Sequence, residues 1–189
     1  MISTKDELKE LIKIASSKRK YLFEAITTVH LPNFKKVKEL LNQIGSVQMV
    51  FANYLQYSSK IDAFKEGGLP NVFNPAFSGG ALMDLNIYNL HFIMGLFGIP
   101  KETTYHPIKH DNGIDIGGLL VLNYDTFIAS CCAGKHVQGH NGAVIYGEKG
   151  TIIVNTEVSM CSSITIKTMS VEETLNLQPI TNRMVYELM

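Results

Sequence analysis

The second half of this chain breaks into short apolar runs that carry large side chains on both faces, and this pattern restricts the fold more than any other feature. The run 114–124 holds Ile114, Ile116, Leu119, Leu120, Val121 and Leu122, and the run 126–133 holds Phe127, Ile128, Ala129, Cys131 and Cys132. Further runs of strand length follow at 143–146, 151–154, 163–167 and 174–177. Turn-like connectors, Asn123-Tyr124-Asp125 and Gly147-Glu148-Lys149-Gly150, separate them, so neighbouring strands are expected to run antiparallel. With apolar residues at odd and even positions alike, neither sheet face suits water. One is expected to pack under helices and the other against a second copy of the chain. The expectation is an α+β fold: a predominantly antiparallel open sheet with helices on one face.

The first half supplies the helices. Ser3 and Thr4 precede Glu7 and the series Leu8, Leu11, Ile12, Ala15, which reads as a capped amphipathic helix ending near Lys18-Arg19-Lys20. A short strand at 21–25 is predicted next. This pair is too small to stand as a domain and suits the closing unit of a larger parallel sheet. Pro32 opens a second helix through Phe34, Val37, Leu40 and Leu41, and Gly45 ends it. The stretch 47–57 is aromatic and β-branched enough for a strand. The stretch 58–78, with Gly67-Gly68, Leu69-Pro70 and Asn74-Pro75, reads as a long loop with one helical turn, and loops of that length are often functional.

Between the halves lies Phe77-Ser78-Gly79-Gly80-Ala81-Leu82-Met83-Asp84-Leu85-Asn86-Ile87-Tyr88. On a helix, at about 100° per residue, Asp84, Tyr88 and His91 fall within about 60° of one another. Leu82, Leu85, Ile87, Leu90, Phe92, Ile93 and Leu96 cover the rest, so the polar stripe must find partners or line a cavity. A carboxylate beside a phenol is a candidate acid/base site. The competing reading has Asp84 capping backbone and Tyr88 as a core aromatic with a satisfied hydroxyl.

Composition excludes several classes. Lys+Arg and Asp+Glu both number 17, which gives no reason to expect nucleic acid or a membrane as partner. The amino terminus lacks the pattern of a signal peptide, and Cys131, Cys132 and Cys161 are odd in number with two adjacent, so a cytoplasmic protein with cysteines packed as small hydrophobes is expected. No Gly-x-Gly-x-x-Gly is present. The spacings His106-x-x-x-His110 and His136-x-x-x-His140 fall in loop or strand contexts without a Cys-x-x-Cys, and no metal is expected.

The run from Gly79 to Tyr88, continued to Leu96-Phe97-Gly98-Ile99-Pro100, resembles the Gly-Gly-x-Leu-x-Asp-x-Gly-x-Tyr/His signature of the Gfo/Idh/MocA oxidoreductases. Phe23-Glu24-Ala25 before Pro32, Ile44-Gly45-Ser46-Val47, Phe73-Asn74-Pro75 and the run from Ala143 to Ile152 are similar to that family in the same order. The resemblance implies a C-terminal domain like that of glyceraldehyde-3-phosphate dehydrogenase, with residues 1–24 as the last helix–strand unit of an NAD(P)-binding Rossmann domain. Residues 25–189 would form the substrate-binding and oligomerisation domain, and the chain would be an internal portion, cut at both ends, of a longer protein. It implies hydride transfer between NAD or NADP and a sugar, polyol or other small hydroxy compound. The glycine fingerprint and the Glu-Lys-Pro lysine would lie upstream, and homo-oligomers would form through the sheet face.

Tyr88 matches the family position that exchanges a proton with substrate, and Asp84 would bind a substrate hydroxyl or orient Tyr88. His91 shares that stripe and is a further candidate contact. Two departures stand out. Asn86 replaces the usual glycine and is expected to shift the substrate pocket, and Val29-His30-Leu31 replaces a polar group before Pro32. His30 is thus a candidate substrate contact, set against a solvated loop histidine. Lys60 is a candidate for an anionic ligand, set against a solvated lysine. The rival reading is a non-catalytic ligand sensor or scaffold that keeps the fold.

Overall fold

The structure, a computed structural model, describes residues 4–180 and 182–187. The first helix, α1 (Lys5–Ser17), starts at a reciprocal cap in which Glu7 N–H donates to Thr4 Oγ1 and Thr4 N–H donates to the Glu7 carboxylate. Ser3 of the expected cap lies outside the described residues. No residue of α1 is buried, and Leu8, Leu11, Ile12 and Ile14 are exposed. The strand expected at 21–25 does not form. A strand exists through its ladder, and among the described residues none lies alongside to supply one. Tyr21 and Phe23 extend into solvent there.

The rest is one eight-stranded sheet under helices. The strands are β1 (Val47–Leu55), β2 (Glu102–Lys109), β3 (Asp115–Asn123), β4 (Ile128–Gly134), β5 (Gly142–Gly147), β6 (Gly150–Val154), β7 (Ile164–Thr168) and β8 (Glu172–Leu175), in spatial order β2-β3-β4-β1-β5-β6-β7-β8. Only β1 and β4 pair in parallel; all other neighbours are antiparallel, as the turn connectors require. The sequence reading missed β2. It contains Pro107, has scarcely a buried residue and lies at the sheet edge, where a missing N–H does no harm.

Two helices cover the inner face: α2 (Pro32–Leu40) and α4 (Ile87–Phe97). Phe34 and Val37 of α2 meet Phe92 and Ile93 of α4 over inward residues such as Val50, Leu122 and Ile145. The Phe34 and Phe92 rings meet edge to face at 5.6 Å. Gly95 lets the two helices approach, since a Cβ there would sit 2.8 Å from the Phe34 ring. Cys131 and Cys161 are buried in this core as free thiols, and burial pushes both up to about 12, so they are inert at neutral pH.

The long loop 58–78 has a small core of its own. A short helix α3 (Ile61–Lys65) and two 3₁₀ turns bring Ile61, Phe64 and Phe73 against Ile114, with the Phe64 and Phe73 rings stacked at 4.5 Å. The loop leads to Gly79-Gly80 and a single π-helical turn, Leu82–Asn86, that feeds α4. The start of this turn is held by Asp115 of β3, whose Oδ2 accepts from Leu82 N–H (2.7 Å) and from the Tyr105 hydroxyl (2.5 Å). Burial, and the carboxylate it faces, push the Tyr105 phenol well above its ordinary range, so it remains a donor. Gly80 has φ +111°, and a Cβ there would collide with the Asp115 carboxylate. Gly80→Ala is therefore expected to destabilise by about 1–3 kcal/mol or more. Asp115→Ala, which leaves an N–H and a phenol unpaired, should cost roughly 1–3 kcal/mol. Urea unfolding should show lower midpoints at unchanged slope.

Candidate active site

Because Asp115 holds the start of the helix, Asp84 is not needed as its cap. Its side chain projects sideways from the π turn and remains 42% exposed, while its Oδ2 contacts the ammonium of Lys135, which is 4% exposed. Single π turns often mark functional sites. Here the wider turn carries the carboxylate at the head of α4.

One turn on, Tyr88 lies at the same surface. Its ring packs beside Tyr54 at 6.1 Å, and among the described residues its hydroxyl has no hydrogen-bond partner. Asp84, Tyr88 and His91 line one cleft of about 280 Å³ with Glu24, Ala25, Ile26, Met83 and Ile87. The helical stripe read from the sequence is thus brought together. Burial pulls the His91 imidazole below its ordinary range and so favours the neutral ring, an effect partly offset by the Glu24 carboxylate, which favours the charged form. Asp84 and Met83 also border a neighbouring cavity of about 260 Å³, walled by the 71–79 loop.

Two charged residues of this site escaped the sequence reading. Glu24 belongs to a run quoted for resemblance alone. Lys135 had a usable signal: it follows Ala129, Cys131 and Ala133, the inward-facing residues of β4, with the same parity. A charge on the buried side of a strand needs a partner, and that partner is Asp84.

Other candidates lie elsewhere. His30 is the exposed last residue of a 3₁₀ turn that begins buried, and Lys60 precedes α3 at the surface; neither lines the cleft. Val29 packs against the core beside Gly95. Asn86, the residue expected to shift a neighbouring pocket, does not itself line this cleft. It is fully buried, donates to Cys131 O (3.0 Å) and accepts from Asn89 Nδ2 (2.9 Å), so the amide ties the helix to β4. His136 Nδ1 bonds to Ile116 O and His110 packs on Phe64, and no group of three or more potential metal ligands forms among the described residues. No helix among them is long and apolar enough to cross a membrane.

The chain has relatives among known proteins. The chain is 39% identical over 154 residues to scyllo-inositol 2-dehydrogenase (NADP(+)) IolU of Bacillus subtilis (strain 168), covering 82% of this chain and 47% of that protein. It is 34% identical over 158 residues to the uncharacterized oxidoreductase YgjR of Escherichia coli (strain K12), covering 84% and 48%. The chain therefore spans about half the length of these curated relatives. Its fold matches that of levoglucosan dehydrogenase, solved in complex with NADH and levoglucosan, with a TM-score of 0.78 at 15% identity over 96% of this chain and 58% of that one. Residues 34–153, from α2 to the end of the β5–β6 hairpin, match the GFO/IDH/MocA C-terminal domain, and the chain belongs to the Gfo/Idh/MocA family.

Proposed function

We propose that this chain is the substrate-binding and oligomerisation part of an NAD(P)-dependent oxidoreductase acting on a sugar, a polyol or another small hydroxy compound. The observation that carries this reading is the cleft where Asp84, Tyr88, His91 and Glu24 converge, a set of groups suited to hydroxyls. The similarity to a protein named for scyllo-inositol and NADP(+), and the fold shared with one bound to NADH and levoglucosan, support it.

The chain's own groups divide the work by chemistry. Asp84, paired to Lys135, accepts a hydrogen bond from a substrate hydroxyl. Tyr88 exchanges a proton with the oxygen of the reacting carbon. His91, held toward its neutral form, supplies a further donor or acceptor. With Asp84 matched by Lys135, the remaining charge in the cleft is Glu24, which favours neutral polyols over phosphorylated or acidic ones. The residues described do not fit the dinucleotide. No glycine-rich strand-to-helix turn occurs, and the first turn of α1 is acidic and already capped. In this reading residues 1–24 end a nucleotide-binding domain that holds the nicotinamide, the source or acceptor of hydride, and α1 turns its apolar residues toward that domain.

The outer sheet face supports the oligomeric part of the reading. Met49, Phe51, Leu119, Ile128 and Tyr146 stand exposed on it. Four of them adjoin, with Met49 opposite Ile128 and Tyr146 in the register and Phe51 edge to face with Tyr146. A contiguous apolar surface of this kind marks an interface, and a two-fold contact covers it with one self-complementary patch. Buried free thiols at Cys131 and Cys161 are in keeping with a reducing, cytoplasmic setting.

Three outcomes are expected. In the polypeptide that carries both this chain and the nucleotide-binding domain, Tyr88→Phe should lower turnover by roughly 10²-fold or more with little change in cofactor affinity; an unaltered kcat would remove Tyr88 from proton transfer. Calorimetric titration of this chain alone with NADH and NADPH should show no micromolar binding, and such binding would assign the cofactor to these residues instead. Light scattering at micromolar concentration should report a dimer or larger that Phe51→Lys dissociates, whereas a monomeric parent would defeat the sheet-face contact.

A further inference from the structure

Lys135 is out of place in energetic terms. An ammonium removed from water costs several kcal/mol even after relaxation, and pairing it with one carboxylate seldom returns a net gain. The chain nevertheless fixes this lysine firmly. Its N–H donates to Ile116 O (2.8 Å) and its carbonyl accepts from Ser58 N–H (2.9 Å), which anchors its backbone to β3 and to the loop before α3. Its Nζ lies 5.4 Å from the centre of the Phe73 ring, a residue of the loop's own core with no exposed surface. The charged end therefore has a built seat, and its anionic partner is Asp84, which stands half open in the cleft.

The pair is asymmetric. Lys135 contacts Oδ2 of Asp84, and among the described residues Oδ1 has no partner. An unclamped aspartate at the start of a helix would turn back to its own N–H groups. Asp115 already occupies Leu82 N–H, and Lys135 draws the Asp84 carboxylate away from the helix axis.

We propose that Lys135 is a positioning residue for substrate: it clamps Oδ2 of Asp84 so that Oδ1 stands in the cleft as a fixed acceptor for a hydroxyl of the polyol. The inference rests on the reading of this cleft as a polyol site. Lys135 does not line the cleft and acts through Asp84 alone. Removing it should therefore weaken substrate binding, leave cofactor binding unaltered, and have no effect once Asp84 has lost its charge.

The test is a double-mutant cycle in the polypeptide carrying both domains, with scyllo-inositol, myo-inositol and levoglucosan as probes and NADP(+) and NAD(+) as acceptors. Lys135→Met, of similar length and suited to the buried seat, should raise KM for the polyol roughly 10-fold or more, with a smaller change in kcat and none in KM for the cofactor. Asp84→Asn should do the same, and the double variant should be no worse than Asp84→Asn alone. An unchanged KM in Lys135→Met, or a double variant whose effect is the product of the two singles, overturns the proposal. If Lys135→Met fails to fold, the double variant, which buries no unpaired charge, decides by the same comparison with Asp84→Asn. Absence of turnover with every probe, or a kinetically silent Asp84→Asn, instead sinks the polyol-site reading, and this inference falls with it.

Discussion

The arrangement of the candidate site depends on one carboxylate that takes no part in it. Asp115 of β3 accepts from Leu82 N–H and from Tyr105 of the edge strand, and so joins β2, β3 and the start of the helix at one point. Helix starts need an acceptor, and a short polar side chain such as that of Asp, Asn, Ser or Thr is the usual supplier. Had Asp84 served that purpose, its carboxylate would have been turned inward along the helix. Because a residue distant in sequence supplies the cap, Asp84 is free to face sideways. The second glycine of the signature follows from the same contact, since Gly80 can have no side chain where the Asp115 carboxylate sits.

A second constraint is the double-sided sheet. Its inner face is dry under α2 and α4, which leaves the outer row of Met49, Phe51, Ile128 and Tyr146 without cover. At about 25 cal/mol for each Å² of apolar surface withdrawn from water, even a modest patch provides several kcal/mol toward association. Much of that is opposed by the entropy of bringing two bodies together, so shape matching across the patch matters as much as its extent.

Much of the sheet was legible because strand patterns are local. Alternation, turn residues and the apolar runs from 114 onward identify seven of the eight strands found. The edge strand β2 was not legible, since its burial pattern has no apolar face and Pro107 argues against a strand wherever both neighbours must bond. The strand expected at 21–25 fails for the complementary reason: its composition suits a strand, but a ladder is a property of two segments. In the site, the helical stripe of Asp84, Tyr88 and His91 was legible because its spacing is within one helix. Lys135 and Glu24 join them across more than forty residues, a proximity that only the folded sheet creates.

The two departures from the family pattern bear on the rival reading of a sensor that keeps the fold without the chemistry. That reading draws its support from Asn86 and from the residues before Pro32. Asn86 is spent on the helix–sheet contact, where its amide bonds to a carbonyl of β4 and to Asn89. A glycine allows close approach by having no side chain; an asparagine reaches the same neighbour by donating to it, and the helix stays seated either way. Val29 fills space beside Gly95 on the core side. Neither substitution alters a group in the cleft, whereas Lys135 adds a buried charge to it through Asp84. In the proposed site, the ammonium held out of water at the expense of stability is what presents one carboxylate oxygen in a fixed direction.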